Sequence, residues 1–405
     1  MINSTYDIAT DTRHTSVNFL LSGFLIALIV GLNVIAVPSS GLVFLITRAI
    51  QAFQLLVVAC FVHLHFKTLS VAIPERPLRL IHYWWASLFI LTLLADTIHF
   101  TIIYQWLTLW LLIMVFRLTN DANKIVLIEF IATLLSLLIY ANAFLFLIFP
   151  DGLWTDTEWV GTGDPSRHLF GNYNQTGMVC LLGIMSRGIT VIHHQRGYWR
   201  LLLLLAVSVA TAYGMGSMTS TVGLVAITIY FLLHKLVPPL LYTVGLTIYL
   251  LLYILFFYII VWQGFEIDNL KFATQFIENT LQKDTSFTER IYLWEEASYL
   301  IQNSMWFGYG VQSPEWMMEK IGGSGPHNFW MLNLLQGGLL LCGIFVMIVL
   351  ESIINTFRNS TAKSRWALAC LCIMMLMSLF ETYNIICIFM VIIMLHFTLK
   401  IPDEK

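Results

Sequence analysis

The stretch Gly322-Gly323-Ser324-Gly325-Pro326-His327-Asn328-Phe329-Trp330 ends the only long polar segment of the chain and leads directly into an apolar span. That polar segment begins at Gln263, and it also contains Arg290 close to a predicted helix start. An arginine and a histidine that share one loop at a membrane surface suggest an anionic substrate and a proton transfer. We therefore expect the rest of the chain to hold this loop over a lipid.

The composition is that of an integral membrane protein. Of the 405 residues, 58% are hydrophobic and 11% are charged, whereas soluble domains carry roughly a quarter charged residues. Apolar runs of about 20 residues recur, which is the length needed to cross a hydrocarbon core. Because these runs are continuous rather than alternating, they predict helices and not barrel strands. All six cysteines lie within apolar runs, which argues against a disulfide framework or a metal site.

The sequence predicts an all-α polytopic membrane protein with about twelve transmembrane helices. Residues 1–262 would carry helices 1–9, with an external loop at about 150–170. Residues 263–326 would form a long, partly helical external loop between helices 9 and 10, and residues 327–405 would carry helices 10–12 and a cytoplasmic C-terminus. The pattern leaves open whether helices 3 and 4 are one bent span. The predicted spans are Val17–Val37, Gly41–Phe66, His82–Thr97, Ile98–Phe116, Ile125–Phe149, Gly171–Ile192, Trp199–Tyr213, Ser217–Leu233, Leu236–Trp262, His327–Leu350, Trp366–Phe380 and Tyr383–Leu399.

The distribution of basic residues predicts the orientation. With the N-terminus inside, 15 of the 21 lysines and arginines fall on inside segments, as the positive-inside rule requires. Both termini are therefore predicted to be cytoplasmic and both long loops external. Arg48 lies within the second predicted span, where a charge costs at least ~2.5 kcal/mol, so it either binds a ligand or is structural. The six basic residues that depart from the rule are Arg48, Arg167, Lys271, Lys283, Arg290 and Lys320.

Polar side chains also gather at the start of the sixth predicted span. Arg167 precedes a turn that contains Asn172 and Asn174, and buried amides cost free energy unless they are hydrogen-bonded. Two interpretations stay open: the asparagines cap the helix, or with Arg167 they line a polar cavity at the outer leaflet. Gly and Ser residues at the junction of the seventh and eighth spans, residues 213–221, indicate close helix packing.

The long loop contains a predicted surface helix. Ser286 and Glu289 have the spacing of a capping box, and a stripe that includes Trp294 and Ile301 predicts that the helix rests on the membrane surface or on the top of the bundle. Arg290 lies in its first turns, where helix N-termini favour anions. The alternative for Arg290 is an ion pair with neighbouring glutamates. Equally, His327 could accept a proton or cap the next helix.

These residues give the chain a resemblance to the O-antigen ligase and polysaccharide polymerase family of bacterial envelopes. The layout is similar, and three motifs resemble those of the family, although the usual Ser-Arg at the seventh and eighth spans is replaced by Thr219-Ser220-Thr221. Arg48 or Arg167 is a candidate for the missing charge. The motifs are Gly171-Asn172-Tyr173-Asn174-Gln175, Thr288-Glu289-Arg290-Ile291-Tyr292-Leu293-Trp294 with Phe307-Gly308-Tyr309-Gly310, and Pro326-His327-Asn328-Phe329 with Gly337-Gly338.

The resemblance implies a glycosyltransferase with a GT-C-like fold in the bacterial inner membrane. It would move a glycan from undecaprenyl pyrophosphate to a sugar hydroxyl at the external, periplasmic face. His327 would be the general base, and Arg290 would hold the pyrophosphate and stabilise its charge. Direct displacement with inversion would suffice, with no metal and no other cofactor. The further predicted substrate-binding residues are Arg167, Arg48, Lys320, Asn172, Asn174, Asn328 and Tyr309.

Two acceptors are compatible with this chemistry. A polymerase passes O-antigen, capsule or exopolysaccharide chains to a lipid-linked repeat unit, and a ligase passes them to lipid A core. The motif order and Phe380-Glu381-Thr382-Tyr383-Asn384 favour the polymerase by resemblance, with the ligase as the alternative. A lipid-linked sugar flippase is disfavoured. Transporters concentrate ionisable residues near the bilayer midplane, whereas most of the candidate residues here cluster at the predicted outer surface. The predicted partners are the lipid-linked donor, the glycan acceptor and the bilayer; a chain-length regulator is left open, and no nucleic acid is expected.

Overall fold

A computed structural model describes residues 23, 29–31, 33–36, 41–71, 75–95, 97, 99–155, 166–233, 239–256, 258 and 288–402. Most of the predicted first span, Val17–Val37, lies outside these residues. Lys271, Lys283 and Ser286 also lie outside them. The capping box at Ser286 therefore stays a prediction.

Helices make up most of the described chain, and each predicted span from the second to the twelfth corresponds to one of them. Spans 3 and 4 are separate helices. One short antiparallel ladder pairs Trp154 with Arg167 in the loop that follows the fifth predicted span (β1, Trp154–Thr155; β2, Ser166–Arg167). The helices are α1 (Gly41–Val71), α2 (Arg76–Leu94), α3 (Phe100–Leu118), α4 (Asp121–Ile148), α5 (Tyr173–His194), α6 (Tyr198–Gly214), α7 (Met218–Leu233), α8 (Pro239–Phe256), α9 (Thr288–Asn303), α10 (Pro314–Ile321), α11 (Phe329–Arg358), α12 (Ala362–Met377) and α13 (Ile385–Thr398).

The helices fit a membrane protein. Within the described residues, α2, α3, α4, α5 and α11 are long and apolar enough to cross a membrane. Helices α6, α7 and α13 are apolar but shorter. An all-α membrane protein is therefore supported, whereas the count of twelve spans, the orientation and the three-part division of the chain stay predictions.

Helix α5 is the centre of the bundle. Residues 176–193 of this helix are all buried, and three glycines let neighbouring helices approach its backbone closely. A Cβ at Gly177 would overlap Ser220 of α7, one at Gly183 would overlap α4, and one at Gly188 would overlap the ring of Trp366 on α12. Small residues allow such close approach between membrane helices. The predicted packing role of the Gly/Ser-rich junction is confirmed at the contact between Gly177 and Ser220.

Helix α11 is interrupted at Gly338, whose φ of 57° and ψ of −156° are not helical. The aromatic turn of residues 304–310 fills the break. Tyr309 N donates to Leu335 O at 2.7 Å, and Leu339 N donates to Met305 O at 2.8 Å. A Cβ at Gly338 would overlap the Trp306 backbone. The turn thus supplies hydrogen-bond partners to the backbone groups at the break. Irregular backbone within a membrane protein requires such partners.

At the end of the bundle opposite the start of α11, charged side chains connect the C-terminal residues to the helices. Glu75, just before α2, accepts hydrogen bonds from His396 and Lys400 near the end of α13. The hydrogen bond with His396 and then the ammonium of Lys400 lower the pKa of Glu75 to about 2. The buried Lys363 donates to the carbonyls of Ile401 and Pro402, at 3.2 and 3.1 Å. These contacts fix the last residues of the described chain against the bundle.

Candidate functional site

The backbone around His327 is held in a conformation that few residues adopt. His327 has a φ of 46°, a left-handed conformation that is uncommon outside glycine and is found preferentially at functional sites. Trp294 Nε1 on α9 donates to Pro326 O at 2.8 Å on one side of it. On the other side Asn328 caps α11 by accepting from Met331 N at 3.0 Å. His327 is therefore positioned by α9 and by the start of α11, and its side chain is 39% exposed.

The loop between α12 and α13, residues 378–384, is bound to the same helix start. Asn328 Nδ2 donates to Leu379 O at 2.7 Å, and Phe329 N donates to Ser378 O at 3.0 Å. These bonds bring Glu381 to His327. Glu381 Oε2 lies 3.8 Å from His327 Nδ1. The carboxylate is 5% exposed, so it needs a charged partner.

Arg290, in the first turn of α9, is that partner. Its Nη2 lies 2.8 Å from Glu381 Oε1, and its Nη1 donates to Phe380 O. The predicted alternative, an ion pair with neighbouring glutamates, is not the arrangement in the structure, since Glu381 lies 91 positions away. Arg290, Glu381 and His327 form a continuous chain of charged and titratable groups. A carboxylate behind a histidine can orient the imidazole and stabilise its protonated form.

A cavity of about 730 Å³ lies beside this triad. Thr382, next to Glu381, and Phe329, two residues after His327, line it, although none of the three triad residues does. Gln175 Nε2 donates to Thr382 O at 3.2 Å, which ties the cavity wall to the loop that carries Glu381. The polar residues that line the cavity are Asn33, His99, Thr101, Gln105, Arg167, Asn172, Gln175, Gln312, Asn333, Gln336, Thr382, Tyr383 and Asn384.

Two predicted substrate-binding residues line this cavity. Arg167 is buried beside it at the end of β2 and donates to Ser166 O at 3.1 Å. Asn172 caps α5 by accepting from Gln175 N at 3.0 Å, and it also lines the cavity. Asn172 thus fits both interpretations of this turn, since it caps the helix and lines a polar cavity; the position of that cavity at the outer leaflet stays a prediction.

The other two predicted asparagines, Asn174 and Asn328, have packing roles. Asn174 is buried, and its Oδ1 accepts from Ser217 at the junction of α6 and α7, at 2.7 Å. Asn328 is fully buried and uses its amide to join α11 to the loop after α12. Neither lines the described cavity. Asn174 therefore joins α5 to the junction of α6 and α7, and Asn328 positions the loop that carries Glu381.

Three predicted substrate-binding residues have their contacts outside the triad. Arg48 is exposed on α1, bonded to Gln51 at 2.9 Å and stacked over Phe44. Lys320 is exposed on α10, where it pairs with Glu319 at 2.8 Å and lowers the pKa of that carboxyl. Neither of these two cations lines the cavity beside the triad.

Tyr309, the third, belongs to the turn that fills the break in α11. Its hydroxyl donates to Leu300 O at 2.9 Å, and burial raises the pKa of that hydroxyl. Its ring contacts Trp316 on α10. In this structure the tyrosine joins α9, α10 and α11.

The stripe on α9 packs on protein. Trp294 and Ile301 are buried against Ile321 of α10 and Leu335 of α11. The helix thus rests on the top of the bundle, one of the two predicted surroundings. This packing aims Arg290 at the loop after α12.

Glu381 is the residue that sequence analysis missed as a site residue. It is the one charged side chain between Trp366 and Leu399, and isolated ionisable residues among apolar spans usually mark functional sites with a partner. That signal was present, but local spacing gives no indication that the partner is Arg290. The cavity amides Gln105, Asn333 and Gln336 were missed as well, since each lies within an otherwise apolar stretch of helix.

Part of the chain is similar to a known protein family. Residues 201–348 match the family model described as O-antigen ligase. No match was found among curated proteins. The matched range contains Arg290 and His327 and covers just over a third of the chain.

The described helices are those of a membrane protein, and the family match supports an enzyme of the glycosyltransferase type. The match over residues 201–348 confirms the predicted resemblance to O-antigen ligases and polymerases and supports a function of that type.

Within the described residues no group of three or more His, Cys, Asp and Glu side chains comes together. The prediction that the reaction needs no metal stays a prediction. All six cysteines are free thiols, as the sequence predicted.

Proposed function

We propose that the protein is a polysaccharide repeat-unit polymerase. It transfers a glycan from undecaprenyl pyrophosphate to a sugar hydroxyl, at the external face of the bacterial inner membrane. The observation that carries this proposal is the Arg290–Glu381–His327 triad, which lies beside a cavity of about 730 Å³ within a membrane bundle. A donor with an apolar tail and a charged pyrophosphate needs such a polar site at the edge of the bundle.

In the proposed reaction the acceptor hydroxyl attacks C1 of the donor sugar. The new C1–O bond forms as the bond from C1 to the pyrophosphate oxygen breaks, and the pyrophosphate leaves with that electron pair. His327 takes the proton of the hydroxyl as general base. Glu381 orients the imidazole and stabilises its charge once the proton has moved. The 3.8 Å separation of His327 and Glu381 fits a catalytic contact that tightens when substrates bind.

The proposed stereochemistry is inversion. A retaining double displacement needs a carboxylate nucleophile close to the sugar carbon. None of the residues that line the described cavity carries a carboxylate. Glu381 is already engaged, since Oε1 binds Arg290 and Oε2 lies towards His327. A single displacement assisted by His327 is the chemistry that these groups support.

Arg167 and Arg290 have different parts in this proposal. Arg167 lines the cavity and is the cation that contacts the pyrophosphate, where a guanidinium can bind two oxygens at once. Arg290 has donated two of its five N–H groups to Phe380 and Glu381, and three remain. We assign it first to holding Glu381 in place and then to stabilising the leaving group.

The ligase is the second candidate, because the matching family model carries that description. The two differ only in the acceptor. The motif order and the loop of residues 380–384 favour the polymerase, in which the acceptor is a second lipid-linked repeat unit. A chain-length regulator is a further proposed partner of the polymerase.

The test uses the full-length protein in detergent with one lipid-pyrophosphate-linked repeat unit as donor. A ladder of longer glycans without any other acceptor supports the polymerase. Transfer only after lipid A core is added overturns the polymerase in favour of the ligase. Transfer to neither acceptor, by protein whose melting curve is cooperative, contradicts both.

A further inference from the structure

A second polar cavity, of about 360 Å³, lies at the far end of α5. Arg187 and His194 on α5, Arg196 in the following turn and Arg200 on α6 line it. The rise of an α-helix is ~1.5 Å per residue, so Arg187 is roughly 22 Å along α5 from Asn172 at the first cavity. The second cavity is therefore separate from the proposed active site.

Side chains of α4 hold Arg187 in place at this cavity. The residue is 9% exposed, and its Nη2 donates to the hydroxyls of Thr133 and Ser136 on α4, at 3.2 and 3.3 Å. Its Nε and Nη1 make no hydrogen bond within the described part of the chain. Because Arg187 lines the cavity, these unused donors are open to an acceptor that enters it, and a largely buried charge is stabilised by such a partner.

The charge around the cavity is positive. Three arginines and one carboxylate, that of Glu129, line it, which leaves a net charge of +3 − 1 = +2 with His194 neutral. Glu129 Oε2 lies 3.8 Å from His194 Nε2. Across residues 75–402 as far as they are described, no carboxylate lies within ion-pair distance of Arg187, Arg196 or Arg200. The cavity thus has the electrostatic character of an anion site.

The backbone adds to this character. Helix α6 begins at Tyr198, after Gly197, and Gly197 provides no side-chain cap. The first N–H groups of a helix lack intrahelical partners and favour anions, and Gly197 itself lines the cavity. Trp199, beside it, is 64% exposed. Exposed tryptophan next to arginines is typical of the level of lipid headgroups.

We propose that this cavity binds a phosphate group, supplied by the headgroup of an anionic membrane phospholipid. Arg187 binds the phosphate at the base of the cavity, and Arg196 and Arg200 close around it. Bidentate arginine–phosphate pairs suit this arrangement. The bound lipid stabilises the junction between α5 and α6 and has no part in glycan transfer.

The experiment measures melting of the full-length protein in detergent with added phosphatidylglycerol, phosphatidylcholine or inorganic phosphate, and native mass spectrometry counts the retained lipids. Arg187→Gln tests the base of the cavity. Because loss of Arg187 can impair folding, a double variant of two exposed residues, Arg196→Gln with Arg200→Gln, is the main test. Arg358→Gln, an exposed arginine at the end of α11 outside this cavity, is the matched control.

We expect phosphatidylglycerol to raise Tm in the wild type and in Arg358→Gln. In the double variant its apparent affinity falls about tenfold or more, the effect of losing two charge-assisted contacts. Equal stabilisation of wild type and double variant overturns the proposal. The proposal also fails if none of the added phosphate compounds raises Tm. Stabilisation by inorganic phosphate with none from phosphatidylglycerol overturns the lipid assignment in favour of a soluble phosphate compound. Equal effects of phosphatidylglycerol and phosphatidylcholine overturn the requirement for an anionic headgroup.

Discussion

Replacement of Glu381 by glutamine is the sharpest perturbation of the triad. Loss of one partner from a buried ion pair costs ~3–5 kcal/mol. Arg290 is 27% exposed and keeps its bond to Phe380 O, and glutamine keeps an acceptor oxygen. We therefore expect only ~1–2 kcal/mol of lost stability, which lowers Tm by a few degrees.

The effect of Glu381→Gln on turnover should be much larger than its effect on stability. Without the carboxylate, the imidazolium formed on His327 loses its counter-charge, and the neutral histidine loses the group that orients it. General base catalysis contributes ~10²–10⁴ in rate. We expect the rate of glycan transfer to fall by about 10² or more, measured as product per time at saturating donor.

The control for this variant is Glu351→Gln. Glu351 pairs with Arg76 at 2.9 Å, so the substitution also breaks a glutamate–arginine pair, but far along α11 from His327. We expect little change in its rate. Glu381→Gln with a rate within threefold of the wild type would refute the role of Glu381 in positioning His327.

Three further predictions follow from the structure. Gly338→Ala should lower stability by ~3 kcal/mol or abolish folding, because the new Cβ overlaps the backbone of Trp306 at a positive φ; thermal melting measures this. Arg167→Gln should raise the KM for the lipid-linked donor about tenfold or more, in a donor titration, with the acceptor KM unchanged. Glu75, with a folded pKa of about 2, adds stability above its ordinary pKa near 4.5 that is lost as pH falls towards 2, so Glu75→Gln should flatten the pH dependence of melting there.

The helices were predictable because each apolar run is long enough to cross a bilayer. The residues at which the helices end were less predictable, as α11 illustrates. The predicted span stops at Leu350, where apolar character ends, whereas the helix continues to Arg358. Backbone hydrogen bonding continues into polar sequence beyond an apolar run, so hydropathy gives the apolar part of a helix and not its full length.

The break inside α11 was not predictable from hydropathy. Gly337 and Gly338 interrupt no apolar pattern, and the aromatic turn lies about 30 residues earlier in the chain. The structure explains both motifs together, since a Cβ at Gly308 would overlap the carbonyl of Leu335. Gly308 and Gly338 allow the turn and the broken helix to come into backbone contact. That contact depends on tertiary structure and not on local sequence.

The cations at the site were only partly predictable. Insertion cost indicated that Arg48 needs a partner, and its partners, Gln51 and Phe44, lie on its own helix. Arg167 was predicted on other grounds, namely its departure from the positive-inside rule and the polar turn that follows it, and it does line the cavity. The difference depends on which face of the bundle each arginine occupies, and that is set by packing between helices far apart in sequence.

The most direct test of the account is single-turnover transfer by His327→Ala with a lipid-pyrophosphate-linked glycan and its acceptor. Donor binding is measured in parallel on the same protein. We expect the rate to fall by about 10² or more while donor affinity and Tm stay close to those of the wild type. A variant that transfers glycan within threefold of the wild-type rate would contradict the assignment of His327 as the general base.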